Sequence, residues 1–362
     1  HSTKMLFNQD VKYVNGTLIL LFGGILCKFL GGIYRIPLSN ILGAGGIGIY
    51  QLIFPVYSLF LILASGGIPV AVSKLVAECR ARNQLKRAKR FLLQSIIYLT
   101  FISSIFSRFF IIFAGNIAAF QGNSGAELGY VAVAGALFFA SLITGFRGYF
   151  QGYQNMTPTA FSQIIEQLFK LILGLILASI LVNISISFGV LGAILGIVAG
   201  EIIAFIFLVI LYIFKSKKVD ILSSNIEEKT SFKEDFKILI KRSFPITFNS
   251  IVLPLIIAVD SFLIVNLLIR TGLDSGLSTE IFGVYSGMVN SLINLPTIVS
   301  LAMAVSLIPA ISYSLARRKD NSQVLSSSFK IILFVSIPAV LIFTFFAKDI
   351  IFLLYPQTAN IF

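Results

Sequence analysis

The chain has 362 residues, of which 57% are hydrophobic and only 12% are charged, and its mean hydropathy is +0.95. A soluble protein has about 25% charged residues and cannot bury this much apolar surface, so the composition indicates a polytopic membrane protein. The net charge of +13 does not indicate nucleic-acid binding, because the Lys and Arg residues fall in short clusters between apolar spans.

Apolar segments long enough for membrane helices follow one another along the chain. Each span needs about 20 apolar residues. We predict spans at 13–36, 48–74, 91–113, 129–150, 159–182, 188–214, 243–269, 281–314 and 329–347, with a tenth starting near residue 349. The sequence therefore predicts an all-α membrane protein with about ten visible helices. The first span lacks a small-residue cleavage site, so we expect a retained helix and no removable signal.

The basic residues alternate from loop to loop. Residues 74–90 carry seven Lys and Arg residues and 215–242 carry eight, whereas loops 38–47, 114–128 and 183–187 carry none. The positive-inside rule then places the N-terminus and the basic loops in the cytoplasm. We expect a cytoplasmic tail (1–12), a six-helix first lobe (13–214), a basic linker (215–242) and part of a second lobe (243–362).

The linker ends in an amphipathic pattern. In residues 232–242, Phe232, Phe236 and Leu239 share one helical face, which predicts an interfacial helix between the two lobes. A solvated linker with chance periodicity is the alternative.

Two segments look like copies of one another. Both 48–77 and 283–312 begin with Gly, an aliphatic residue and Tyr, run apolar for about 20 residues and precede a basic cluster, at an offset of 235. Both copies enter from the predicted outside, so they would be related by an axis along the membrane normal. Because the second copy has fewer spans, we expect a truncated second lobe.

Six charges lie inside or near the ends of the spans, where lipid disfavours them. Lys28 and Arg35 are seven residues apart and share a helix face, which suits an extended anionic ligand such as a diphosphate. Snorkelling of Arg35 to the interface is the alternative. Arg147 is a third candidate cation for substrate binding, although an ion pair with Glu166 is equally compatible with its position.

Three carboxylates are candidates for coupling to a cation or proton: Glu166, Glu201 and Asp260. Glu166 has Lys170 four residues on, which would neutralise it locally. Glu201 follows a ladder of glycines with small-residue spacing. Asp260 stands alone in its span, and a protonated packing role is the alternative.

Helix-breaking residues interrupt two spans at corresponding stages. Gly66, Gly67 and Pro69 interrupt the second span, and Asn294 and Pro296 interrupt the eighth. Paired broken helices mark transport sites in carriers, whereas kinks that serve packing alone are the alternative.

The segments GTLILLFGGILCKFLGGIYRIPLSNILGAGGIGIYQ, SGGIPVAVSKLVAE and FRGYFQGYQNMTPTAFSQIIEQ resemble the stage V sporulation protein B group of polysaccharide-export proteins, relatives of lipid II flippases in the MOP (MATE-like) superfamily. The resemblance implies a MATE-like two-lobe bundle that flips an undecaprenyl-diphosphate-linked cell-wall precursor across the bacterial cytoplasmic membrane. It also implies that Lys28 and Arg35 line the central cavity. The chain lacks the Arg pair of that group in the second helix, so the substrate stays open.

We expect a multi-pass monomer that binds a polyprenyl-diphosphate-linked sugar and membrane lipids, without nucleic acid, metal, catalytic residues or cofactor. Coupling to Na⁺, H⁺ or the membrane potential stays open. A cation-coupled multidrug antiporter with an acidic cavity is the alternative function. A membrane glycosyltransferase is a weaker rival, because the predicted outer loops hold only scattered acids.

Overall fold

The computed structural model describes residues 2–222, 231–294, 296–297 and 322–356, and every regular element in these ranges is helical. The helices are α1 (Ser2–Ser65), α2 (Ile68–Ala81), α3 (Leu85–Phe120), α4 (Glu127–Gly152), α5 (Thr157–Leu181), α6 (Ile186–Leu222), α7 (Phe232–Arg270), α8 (Ser275–Phe282), α9 (Asn290–Ile293), α10 (Ser322–Phe345) and α11 (Ala347–Leu354). A π-helical segment, Gly283–Val289, joins α8 to α9. The prediction of an all-α polytopic membrane protein is confirmed.

Six helical segments of the described chain are long and apolar enough to cross a membrane. A seventh follows if α10 and α11, which are bent by 86° at their junction, form one broken span. The sequence had predicted these last two helices as a ninth span and the start of a tenth.

The first two predicted spans are two helical segments of α1 that meet at a kink. The predicted loop 38–47 is helical apart from Gly43, where φ is 69° and ψ is −178°. Because only glycine adopts this backbone conformation without strain, the chain bends there while the helical hydrogen bonds continue on both sides. The predicted connection between the first two spans is thus found within 38–47, but as a kink at Gly43 with helical residues on both sides and not as an extended loop.

A true helix break follows at Gly66 and Gly67, between α1 and α2. The Gly67 N–H donates to the Thr247 hydroxyl at 2.9 Å, and a Cβ at Gly67 would overlap the Ser243 carbonyl oxygen of α7. Pro69 lies in the first turn of α2, where its missing N–H costs no helical hydrogen bond. The break thus brings the α1–α2 backbone against α7.

Residues 232–242 form the first turns of α7 and no separate interfacial helix. Ser231 and Glu234 make a capping box at the helix start, and the side chain of Asp235 is fully buried. Residues 223–230 of the predicted linker and residues 298–314 of the predicted eighth span lie outside the described chain. The described part of that span ends at the break around Asn294 and Pro296.

Small residues allow α5 and α6 to pack closely. The backbone of Gly196 contacts that of Gly174, Gly192 lies against Leu177, and Gly200 lies against the Glu166 carbonyl oxygen. This contact is of the small-residue type that replaces the hydrophobic effect between membrane helices. It fixes Glu201, the residue after Gly200, beside the middle of α5.

Equivalent positions of the two sequence repeats touch one another. Gly48 lies against Gly283, and the Gln51 side-chain amide donates to both the carbonyl and the hydroxyl oxygen of Ser286 at 2.9 Å. Each pair is 235 residues apart, which is the repeat offset. Contacts between equivalent residues occur where a two-fold axis passes, so this geometry is the one expected for two lobes related by such an axis.

Candidate functional site

A cavity of about 450 Å³ lies between the two halves of the molecule. It is enclosed by the second half of α1, the middle of α7 and the segment that runs from the π-helical turns to Asn294. Its described lining consists of Arg35, Gln51, Phe54, Pro55, Ser58, Ile62, Leu253, Pro254, Ile257, Ser286, Asn290, Ser291 and Asn294. The cavity is therefore built from both repeats and from the residues at one helix break.

Arg35 is the cation that α1 presents to this cavity. Its Nε donates to the Gly287 carbonyl oxygen at 3.2 Å, and its guanidinium carbon lies 6.0 Å from the centre of the Tyr50 ring. These two contacts involve no carboxylate, and no acid of the described chain forms an ion pair with the Arg35 guanidinium. An arginine in this setting suits a phosphate oxygen, which accepts two parallel hydrogen bonds from its fork.

The remaining polar lining is neutral. It consists of the Ser58, Ser286 and Ser291 hydroxyls together with three side-chain amides, those of Gln51, Asn290 and Asn294. No carboxylate occurs among the described lining residues. Hydroxyls and amides both donate and accept hydrogen bonds, so the cavity suits a hydroxyl-rich neutral group next to an anion.

A separate polar cluster lies within the first lobe, between α4, α5 and α6. The Arg147 Nη2 atom lies 3.0 Å from the Glu166 carboxylate, and its Nε donates to the Ser162 hydroxyl at 2.9 Å. Thus the ion pair that the sequence left as an alternative for Arg147 is present. Arg147 faces this cluster and does not line the cavity.

Lys170 connects the cluster to α1. Its ammonium lies 5.3 Å from the centre of the Tyr34 ring and 5.6 Å from that of Phe54, at cation–π distances. Phe54 also lines the cavity, so one aromatic side chain touches both sites. The predicted local neutralisation of Glu166 by Lys170 is not what the structure shows, since Lys170 turns toward the rings.

Glu201 is buried next to this cluster. It is 5% exposed, and the preceding Gly200 lies against the Glu166 carbonyl oxygen. The Glu201 side chain forms no hydrogen bond with a described residue. Such a carboxylate is stable when it carries a proton or meets a cation, because a bare buried charge is strongly disfavoured.

Lys28 and Asp260 belong to neither site in the described chain. Both side chains are exposed, neither lines the cavity, and neither forms a hydrogen bond or an ion pair with described residues. Of the six charges predicted from the sequence, the structure therefore brings Arg147, Glu166 and Glu201 together and leaves Arg35 as the charge in the cavity lining. Of the break residues, Gly67 contacts α7 and Pro69 contacts Gly148 of α4, Gly66 contacts Ile62 one turn earlier in α1, and Asn294 lines the cavity.

From the sequence we did not predict that Gln51 and Ser286 line the cavity. We also did not predict the cation–π contacts of Lys170. The signal for Gln51 was present, because it lies at the repeat offset from Ser286. No local signal identifies Tyr34 and Phe54 as the partners of Lys170, since these three residues meet only after α1 packs on α5.

The match to known proteins covers most of the chain. Residues 13–315 match the family described as polysaccharide biosynthesis protein. The chain belongs to this family. Together with the relatives described next, this match confirms the resemblance to the stage V sporulation protein B group.

Two curated relatives from Bacillus subtilis (strain 168) are similar over most of the chain. Stage V sporulation protein B is 28% identical over 85% of this chain, and lipid II flippase MurJ is 29% identical over 91%. The matched regions cover 59% and 63% of those two proteins. The chain therefore spans about three fifths of the length of the curated relatives it matches.

The fold is that of MATE transporters. An inward-facing conformation of a multidrug resistance MATE family transporter of the MOP superfamily aligns with a TM-score of 0.64 at 14% identity, covering 94% of this chain and 75% of that one. At this identity the similarity establishes the fold alone. Family, fold and apolar helices together identify a multi-pass membrane protein.

Proposed function

We propose that this protein flips an undecaprenyl-diphosphate-linked cell-wall precursor, lipid II or a related lipid-linked oligosaccharide, across the bacterial cytoplasmic membrane by alternating access. The observation that carries the proposal is the cavity between the two lobes. The described lining of this cavity contains the Arg35 guanidinium, several hydroxyls and amides, and no carboxylate. This combination fits a diphosphate attached to a sugar.

The same observation argues against a multidrug antiporter. A carrier for cationic drugs needs acidic groups in its cavity, since an arginine there repels the substrate. Glu166 and Glu201 lie within the polar cluster, and no acid of the first lobe is among the described lining residues. The similarity to a multidrug MATE transporter concerns the fold and not the polarity of this cavity.

Roles for the other charges follow from their positions. Arg35 contacts the diphosphate, and Lys28, exposed two helical turns away, attracts it during entry. Arg147 holds Glu166 in place, and Glu166 with Glu201 takes up the coupling proton or Na⁺, because Glu201 is buried without a hydrogen bond. Asp260 is a second coupling candidate in α7. The N-terminus is cytoplasmic, the protein works as a monomer and it needs no cofactor.

Complementation tests this function. Cells depleted of their lipid II flippase are supplied with the protein, with its Arg35→Gln variant or with Lys28→Ala, and membrane insertion is checked in each case. The wild type restores growth and both variants fail to do so. Normal growth with Arg35→Gln, or no rescue by an inserted and folded wild type, would contradict the proposal for lipid II.

A further inference from the structure

A second cavity, of about 210 Å³, lies at the opposite side of the α1–α2 break, where α2, α3 and α7 meet. Three arginines line it: Arg82 after the end of α2, Arg87 in the first turn of α3, and Arg242 in α7. The cavity is therefore shared by the two lobes and lies at the basic end of the bundle, the end where the Lys and Arg clusters of residues 74–90 and 231–242 occur.

Two of these arginines are held in place by carboxylates. Arg87 donates to the buried Asp235 through Nε at 3.0 Å and Nη2 at 2.7 Å, and Arg242 Nη1 lies 2.7 Å from the Glu78 carboxylate. Arg87 also donates to the Gln84 side-chain oxygen at 3.3 Å. These bonds orient both guanidinium groups, and because a guanidinium has five N–H donors, Arg242 has further donors beyond its bond to Glu78.

The third arginine and a helix start supply the remaining donors. Arg82 is exposed and forms no side-chain hydrogen bond or ion pair with described residues, although it lines the cavity. The adjacent N-terminus of α3 has no side-chain cap, so its first N–H groups have no helical partner. Donors from two helices and a helix start thus converge on one enclosed space.

The surroundings add a strong positive field. Residues 74–90 and 231–242 together carry eleven basic and three acidic residues, an excess of eight positive charges. This excess already takes the three acids into account, and one of them, Asp235, binds both Arg87 and Arg90. In the orientation proposed above, this basic end faces the cytoplasm, and basic pockets between membrane helices at that side are suited to phosphate headgroups.

We propose that this cavity binds the phosphate headgroup of an anionic phospholipid from the cytoplasmic leaflet. Its volume equals that of roughly seven water molecules at about 30 Å³ each, enough for a phosphate with part of its glycerol. A leaflet lipid fits better than a soluble phosphate because the cavity lies at the ends of membrane-spanning helices, where headgroups are concentrated. A bound headgroup would connect α2 and α3 of one lobe to α7 of the other.

Native mass spectrometry and thermal unfolding in detergent test this site with phosphatidylglycerol and phosphatidylcholine as probes. The wild type is compared with Arg82→Gln and with Lys86→Gln. Lys86 is exposed in the same basic cluster but does not line the cavity, so it controls for loss of one surface charge. Removing Arg82 deletes hydrogen bonds to a charged group and should weaken phosphatidylglycerol binding about tenfold, whereas Lys86→Gln should change it little.

The expected result is stabilisation by phosphatidylglycerol and not by phosphatidylcholine, lost in Arg82→Gln and retained in Lys86→Gln. Equal phosphatidylglycerol binding by the wild type and Arg82→Gln would overturn the proposal. Equal stabilisation by inorganic phosphate would assign the pocket to a soluble anion and overturn its assignment to a lipid. The readout is binding, so it is independent of whether the protein flips lipid II.

Discussion

Individual charges in this protein differ in what surrounds them, and that difference separates their roles. Arg35 contacts a carbonyl oxygen and an aromatic ring, Arg147 contacts a carboxylate, and Lys170 contacts two rings. A cation without an acidic partner attracts an anionic ligand, whereas a paired one mainly fixes local structure. The sequence places all three in membrane spans but does not distinguish among them.

Asp235 is the most deeply buried charge described at the basic end. Its carboxylate accepts hydrogen bonds from Arg87 and Arg90 of α3 and is 0% exposed. Removing one partner of a buried charge network destabilises proteins by about 3–5 kcal/mol, because the remaining charges stay buried and unpaired.

We therefore predict that Asp235→Asn lowers the thermal unfolding midpoint in detergent by several degrees. Glu234→Gln is the matched control, since Glu234 is exposed, and glutamine also serves in a capping box. Equal midpoints for the two variants would show that the network contributes nothing to the packing of α7 on α3.

Helices in this fold are shaped mainly by glycines whose roles depend on tertiary contact. Gly43 bends α1 because its φ is positive. Gly67 lies at the break between α1 and α2, where α7 packs against its backbone. Both lie in glycine-rich sequence, so composition alone predicts a loop at the first and a break at the second. Whether such a glycine bends a helix or breaks it depends on the helix that packs against it, and the local sequence does not show which helix that is.

Gly67→Ala should destabilise the protein, because its Cβ would overlap the Ser243 carbonyl oxygen and crowd the Thr247 hydroxyl. Gly31→Ala is the control: no atom lies within 4 Å of a Cβ there, and alanine favours a helix interior by about 1 kcal/mol over glycine. Thermal unfolding in detergent should show a lower midpoint for Gly67→Ala only. A midpoint unchanged by Gly67→Ala would mean that α7 does not press on this break.

At the scale of the whole molecule, hydropathy and basic loops suffice to predict the class and most of the spans, whereas the family resemblance rests on three particular sequence segments. The sequence also contains the repeat offset. The position of the cavity, however, becomes apparent only from the structure, in which Gln51 contacts Ser286 and Gly48 contacts Gly283. Likewise, the pattern around Asp235 predicts an interfacial helix, whereas the structure buries this residue against α3. Periodicity shows which residues share a helix face but not which protein surface covers that face.

If the two lobes move as the proposed alternating access requires, the contact between Gln51 and Ser286 separates during transport. We predict that Gln51→Cys with Ser286→Cys, in a background without Cys27 and Cys79, forms a disulfide that stops transport. Reductant should restore it, and either single cysteine should have no effect under oxidation. Full transport by the cross-linked protein would contradict movement at this contact.

Lipid flipping in liposomes tests the central claim most directly. The protein is reconstituted with fluorescent lipid II, and exposure of the label on each leaflet is followed by quenching, for the wild type, Arg35→Gln and Arg108→Gln. Arg108 is an exposed arginine of α3 outside the cavity lining and controls for loss of a membrane arginine. We predict that the wild type and Arg108→Gln flip lipid II at similar rates. Arg35→Gln should flip it at about one tenth of that rate or more slowly. Equal rates for Arg35→Gln and the wild type, or no flipping by folded wild type, would contradict the account.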